Sequence, residues 1–143
     1  MAPELDLDAI AQERDRIRST YLMDDRPAST ARGLHHFALL CSDVERTVKF
    51  YQEVLEFPLT ELFENRDYQG STHFFFDLGN QTLLGFFDFP GLGLEPGVEA
   101  IGGVQHIAIS MPRDQWEQAQ KRLEAEGVSY AGPDLGIEES MYF

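Results

Sequence analysis

The sequence predicts an α+β fold built from two βαβββ modules that follow an N-terminal helical arm. The main observation is a repeat: residues 33–40 are matched by residues 103–110 at a constant offset of seventy. Each copy runs into apolar residues at helical spacing, and the first helix is followed by alternating, strand-like segments. We therefore place the arm at 1–32, the first module with its linker at 33–102 and the second module at 103–143.

Composition limits the function classes. A chain of 143 residues with 43% hydrophobic residues can bury one sizeable core. Nucleic acid is an unlikely partner, because the formal charge is −14 and only eleven Lys and Arg are present. The single cysteine, Cys41, excludes an internal disulfide, and we find neither a secretory signal nor a membrane span, so we expect a cytoplasmic protein.

The arm is predicted to contain an amphipathic helix that ends before residues 24–27. Its apolar stripe comprises Leu7, Ile10, Ile17 and Tyr21. Such an arm caps its own domain or a sister subunit more often than it forms a lid over a binding site. We expect the stripe to be buried, since an isolated helix of this length is marginal in water.

The first module contains the clearest signals. A strand runs from Gly33 to about Cys41, and Asp43 is an N-cap candidate for a helix that ends before Pro58. Two strands, 71–78 and 81–88, are joined by Gly79-Asn80 as a two-residue turn. The helix carries its apolar face at Val44, Val48, Tyr51 and Leu55. Gly and Pro in 89–102 predict an irregular linker.

The second module repeats this scheme. A strand begins at Gly103, a helix follows Pro112 and is closed by Gly127, and strands start near Val128 and Ser140. The helix places Trp116, Ala119 and Leu123 on one face. The given sequence reaches Phe143 before the rest of the third strand and the fourth strand. We therefore expect the natural protein to continue.

One histidine stands at the same position of each repeat. With the period of two that a strand imposes, His36 shares a face with Ala38 and Leu40, and His106 shares one with Ala108 and Ser110. The bulkier residues lie on the opposite face, where helices would pack. His35 lies on that opposite face. Two equivalent histidines beside mostly small residues indicate one shared metal site.

These residues resemble the vicinal oxygen chelate superfamily. The resemblance covers residues 33 to 143 and is carried by 36–55, by Phe75-Phe76-Asp77-Leu78-Gly79 and by His106-Ile-Ala-Ile. Members include glyoxalase I, extradiol ring-cleaving dioxygenases, fosfomycin-resistance enzymes, methylmalonyl-CoA epimerase and bleomycin-binding proteins. The resemblance implies that the modules form a curled mixed sheet around a divalent metal, with His36 and His106 as ligands.

The resemblance also implies which ligand pattern applies. Glyoxalase-type members carry a glutamate where this chain has Gly85, which cannot bind a metal. This departure favours the pattern of two histidines and one carboxylate that extradiol and fosfomycin-modifying enzymes share. The carboxylate, a glutamate, is expected beyond Phe143. The metal expected is Fe²⁺, with Mn²⁺, Zn²⁺ and Ni²⁺ as alternatives.

The two-residue turn sets the predicted lining of the site. It pairs Phe74 with Gly85 and turns His73 toward the helices, whereas a three-residue turn would reverse both faces. An apolar lining would suit an aromatic substrate, although such strands are more often plain core. The predicted substrate-binding residues are Phe74, Phe76, Leu83, Gly85 and Phe87.

The function expected from these patterns is that of a metal-dependent enzyme, most similar to the extradiol dioxygenase branch. It would bind neighbouring oxygens of a small aromatic or apolar substrate, and its general acid or base is unknown. Two alternatives remain open: a glyoxalase-like lyase, isomerase or thiol transferase, and a non-catalytic binding protein of the bleomycin-resistance type. We expect a homodimer that binds a small molecule.

Overall fold

The computed structural model describes residues 5–132 and 139–143. They form two compact units, an N-terminal one that ends at Gly33 and a second that begins at Leu34. The α+β class is confirmed. Residues 1–4 of the predicted arm and residues 133–138 of the predicted second module lie outside the described residues.

The N-terminal unit contains helix α1, Leu7–Tyr21. The Asp6 side chain accepts a hydrogen bond from the Ala9 amide at 2.9 Å, which caps the first turn. The helix buries no side chain in the single chain, and Ile10 is 41% exposed and Ile17 45% exposed. Burial of the apolar stripe stays a prediction.

The second unit is built on a four-stranded mixed sheet with the order β1-β4-β3-β2. The strands are β1 (His36–Leu40), β2 (Leu59–Glu64), β3 (Thr72–Asp77) and β4 (Leu83–Phe87). Strand β1 pairs with β4 in parallel, and the other neighbours are antiparallel. This is the βαβββ module predicted from residues 33–88.

Helix α2, Val44–Lys49, connects β1 to the rest of the sheet. Asp43 caps it by accepting from the Arg46 amide at 2.9 Å, as its position predicts. The helix then widens into a π-helical turn, Phe50–Val54, which the sequence pattern does not signal. Tyr51 in this turn packs against the rings of Phe76 and Phe86 in the core.

Helix α3, Arg113–Ala125, follows the irregular segment 89–102 as predicted. It buries Ala119 and Leu123, and Leu123 packs against Val54 and Leu55 at the end of the π-helical turn. None of the described helices is both long and apolar enough to span a membrane.

The strand predicted from Gly103 is wrong for this structure. Residues 104–112 form neither helix nor strand, and in 128–132 and 139–143 the predicted strands are reduced to isolated bridge residues, of which Ala131 pairs with Tyr142. The physical reason is the sheet order. In the first module β1 pairs only with β4, and no strand of the described residues pairs with 104–110 in the same way.

Candidate functional site: the histidine face of the sheet

One face of the sheet carries His36, and we call it the histidine face. The strand register places Ala38 beside Gly85, and Gly85 beside Phe75. The next row of the same face pairs Phe87 with His73. Strand β2 extends both rows, because Phe75 pairs with Glu61 and His73 pairs with Phe63.

The hairpin between β3 and β4 differs from the prediction by one residue. Leu78 and Thr82 close a three-residue turn, in which Gly79, Asn80 and Gln81 all have positive φ. The register therefore pairs Phe74 with Phe86 instead of Gly85. The two-residue turn was wrong, and the faces of β3 are exchanged as a three-residue turn requires.

This exchange redistributes the predicted lining residues. Phe74 and Phe76 are 0% exposed and pack in the core with Leu84 and Phe86, on the side of α2. They were placed on the wrong face. Leu83, Gly85 and Phe87 lie on the same face as His36. Their role toward a substrate stays a prediction.

Gly85 has no room for a side chain on the histidine face. A Cβ built on Gly85 would lie 2.8 Å from Cε1 and 3.1 Å from Cδ1 of Phe75. The Phe75 ring therefore fills the space that a side chain at position 85 would use. The same ring meets His36 edge-on, with centroids 5.8 Å apart.

His73 lies among the aromatic rings of this face. Its ring stacks on Phe87 with a centroid separation of 3.6 Å and lies 4.3 Å from Phe75. Its Nε2 atom is buried and has no hydrogen-bond partner among the described residues. Burial lowers the pKa of His73, the charge of His36 lowers it further, and Glu61 acts in the opposite direction.

The two repeated histidines share a local arrangement. His36 Nδ1 lies 2.8 Å from Nδ1 of His35, and His106 Nδ1 contacts Oε1 of Gln105. His35 and Gln105 occupy equivalent positions of the repeat. In both copies a neighbour thus engages Nδ1, and in the described ranges Nε2 has no hydrogen-bond partner. Metal-binding histidines commonly have one ring nitrogen held in this way.

The two imidazoles have different aromatic neighbours. His106 is exposed and faces the ring of Tyr142 at 6.2 Å, whereas His36 faces His35 and Phe75. Within 5–132 and 139–143, no three His, Cys, Asp or Glu side chains are grouped so that they could hold a metal ion. The donor types fit a divalent metal, and a complete site requires a further donor beside the two histidines.

Sequence reasoning missed Phe63 and Phe75 as residues of this face. The number of residues in the β3–β4 turn identifies them. That number determines on which face of the sheet each side chain of β3 lies and, through pairing, each side chain of β2. Burial raises the pKa of the Cys41 thiol, which keeps it protonated and makes it a poor nucleophile.

A family model matches residues 33–142, that of the Glyoxalase/Bleomycin resistance protein/Dioxygenase superfamily. The chain belongs to this superfamily. The match spans the described sheet, α2, α3 and both repeated histidines, and it begins where the N-terminal unit ends.

Two proteins of Bacillus subtilis (strain 168) are similar to this superfamily member. The one named "Putative ring-cleaving dioxygenase MhqE" is 33% identical over 116 residues, which are 78% of this chain and 37% of MhqE. A crystal structure named "putative dioxygenase" is 27% identical with a TM-score of 0.64 and covers 76% of this chain and 36% of that one. The chain thus spans little more than a third of either relative.

A third likeness concerns the fold alone. The crystal structure of a mutant fosfomycin resistance protein, FosX from Listeria monocytogenes, is 20% identical with a TM-score of 0.57. It covers 80% of this chain and 84% of FosX, and that protein is complexed with Mn(II) and 1S,2S-dihydroxypropylphosphonic acid.

Proposed function

We propose that this chain forms the metal-binding part of a ring-cleaving dioxygenase that acts on an aromatic substrate with two neighbouring oxygens. The observation that carries the proposal is the pairing of Gly85 with Phe75. An aromatic ring occupies the space beside Gly85, where the glyoxalase-type pattern has a carboxylate. This favours a site with three protein ligands over one with four.

The proposed ligands are Nε2 of His36, Nε2 of His106 and a carboxylate outside the described residues. Their contacts through Nδ1 leave both Nε2 atoms available, which supports the assignment. A divalent ion held there would supply Lewis acidity and, as Fe²⁺, a centre for activating dioxygen.

The aromatic residues of the histidine face have two roles in this proposal. Phe75 lies edge-on to His36, so it covers one side of the imidazole with apolar surface and keeps water from that side. Phe63 is exposed and offers a ring surface on which a planar substrate can pack. The similarity to MhqE supports an aromatic substrate for this chain.

The test is oxygen uptake by the full-length protein, supplied with Fe²⁺ and catechol, together with the absorbance of the ring-opened product. We expect turnover that His36→Ala and His106→Ala each reduce at least a thousandfold. Binding of catechol without oxygen uptake would favour a non-catalytic binding protein. Isomerase or thiol-transferase activity without oxygen uptake would contradict the proposal.

A further inference from the structure

We propose that His73 is the polar anchor of the histidine face: its Nε2 forms a hydrogen bond to an oxygen on a planar aromatic ligand. The ligand ring packs among the aromatic rings around it. The inference takes the aromatic ligand class from the proposed function, but it does not depend on a metal or on turnover.

The surroundings of His73 form an aromatic box with one polar nitrogen buried inside it. Phe87 stacks on the imidazole at 3.6 Å with an interplanar angle of 20°. Phe75 lies at 4.3 Å, and Phe63 meets the imidazole edge-on at 5.3 Å. Flat apolar surface on three sides and one hydrogen-bonding atom are what recognition of a substituted aromatic ring requires.

The unpartnered Nε2 atom is the reason to assign a ligand. Buried polar atoms are nearly always hydrogen-bonded, so an orphaned one calls for an explanation. A phenylalanine at position 73 could stack on Phe87 equally well without a buried polar atom. Histidine at this position therefore weakens the packing of the isolated chain, and a ligand oxygen would complete its hydrogen bonding.

The chemistry of the anchor follows from its charge state. Burial lowers the pKa of His73, so the imidazole is neutral near pH 7. A neutral imidazole carries one donor and one acceptor nitrogen, and the tautomer decides which of them is Nε2. The anchor can accordingly accept from a phenolic hydroxyl or donate to a phenolate or carbonyl oxygen.

Phe63 is the exposed member of the three phenylalanines around the anchor. This ring is 44% exposed and belongs to β2, which has a single neighbour in the described sheet. It lies on the face opposite the buried cluster of Phe74, Phe76, Leu84 and Phe86, so we infer that its ring turns away from His73 without repacking that cluster. The ligand ring then takes the place that the Phe63 ring leaves.

The experiment compares phenol and toluene, which differ by one oxygen, on the metal-free full-length protein. Dissociation constants are measured by NMR titration for wild type, His73→Phe and His73→Gln. We expect the preference for phenol over toluene to fall about tenfold in His73→Phe, the effect of one lost hydrogen bond. His73→Gln should recover part of it, because its terminal amide reaches a similar position.

The imidazole itself gives a second readout. In wild type, phenol should shift the ¹⁵N resonance of His73 Nε2, and toluene should not. An unchanged phenol-to-toluene preference in His73→Phe, or no binding of either compound to wild type, would overturn the proposal. Phenol binding through His73, combined with no oxygen uptake when the Fe²⁺-loaded protein is given catechol, would keep the anchor and reject the dioxygenase, so the two failures are distinguishable.

Discussion

At the scale of single residues, a side chain at position 85 would compete with the Phe75 ring for the same space. Glycine in a strand normally costs about 0.5–1 kcal/mol relative to alanine. Here we predict the opposite sign: Gly85→Ala should lower the free energy of unfolding by about 1–2 kcal/mol, because its Cβ would lie 2.8 Å from Phe75. Urea denaturation measures this difference.

The control for this prediction is a double-mutant cycle. In a Phe75→Leu background the ring is gone, so Gly85→Ala should cost much less, with a coupling of about 1 kcal/mol between the two positions. Additive effects of the two substitutions, or stabilisation by Gly85→Ala alone, would refute the close contact.

His73 links stability to pH. Its folded-state pKa lies below the ordinary 6.5, so below that pH the unfolded chain takes up a proton that the folded chain does not. The contribution of His73 is therefore complete above pH 6.5 and is lost as the pH falls from there through the lowered pKa. His73→Phe should remove this dependence and raise the free energy of unfolding by about 1 kcal/mol at pH 7.

The measurement is urea denaturation of both proteins at pH 7.5 and at pH 5.5. An identical slope in wild type and His73→Phe would contradict the assigned environment of His73.

At the scale of elements, the β3–β4 turn shows what determines which side chains of a strand face the core. A two-residue turn would have turned His73 and Asp77 toward α2 and exposed two phenylalanines on the other side. Burying a phenylalanine contributes about 1.5–3 kcal/mol, whereas a non-glycine residue with positive φ costs about 1–2 kcal/mol. Burial of Phe74 and Phe76 therefore outweighs the strained backbone of Gln81.

Local signals predicted the elements whose stabilising partners lie nearby in the sequence. The cap at Asp43 and the apolar stripe of α3 predicted both helices, because capping and amphipathic burial are local properties. The face of the sheet on which His73 lies depended on whether the β3–β4 turn has two or three residues. The strand around His106 depended on a pairing partner, and the residues described contain none.

The arm is predicted to bind a second copy of the chain. All of α1 is exposed in the single chain, yet Leu7, Ile10 and Ile17 form an apolar stripe. A 15-residue helix is marginal alone, so cleavage within residues 5–22 should slow as protein concentration rises. Limited proteolysis at 1 and 100 µM tests this, with cleavage in 89–102 as the internal control. Equal rates at both concentrations would count against a dimer held by the arm.

At the scale of the whole molecule, the sheet and the repeat place the functional groups. The parallel pairing of β1 with β4 brings His36 next to the row that contains Gly85, and the repeat supplies His106 with the same neighbour contact at Nδ1. The family match extends over both copies. The central claim is that both histidines hold one divalent ion.

The metal content of the full-length protein tests that claim most directly. After incubation with Fe²⁺ or Mn²⁺ and dialysis, elemental analysis should give one ion per chain in wild type and in His73→Gln. Metal should be absent from His36→Ala and His106→Ala, because each removes one of three protein ligands. His35→Ala should still bind, about tenfold more weakly, since it removes only the contact to Nδ1. Equal metal content in all five proteins would contradict the account.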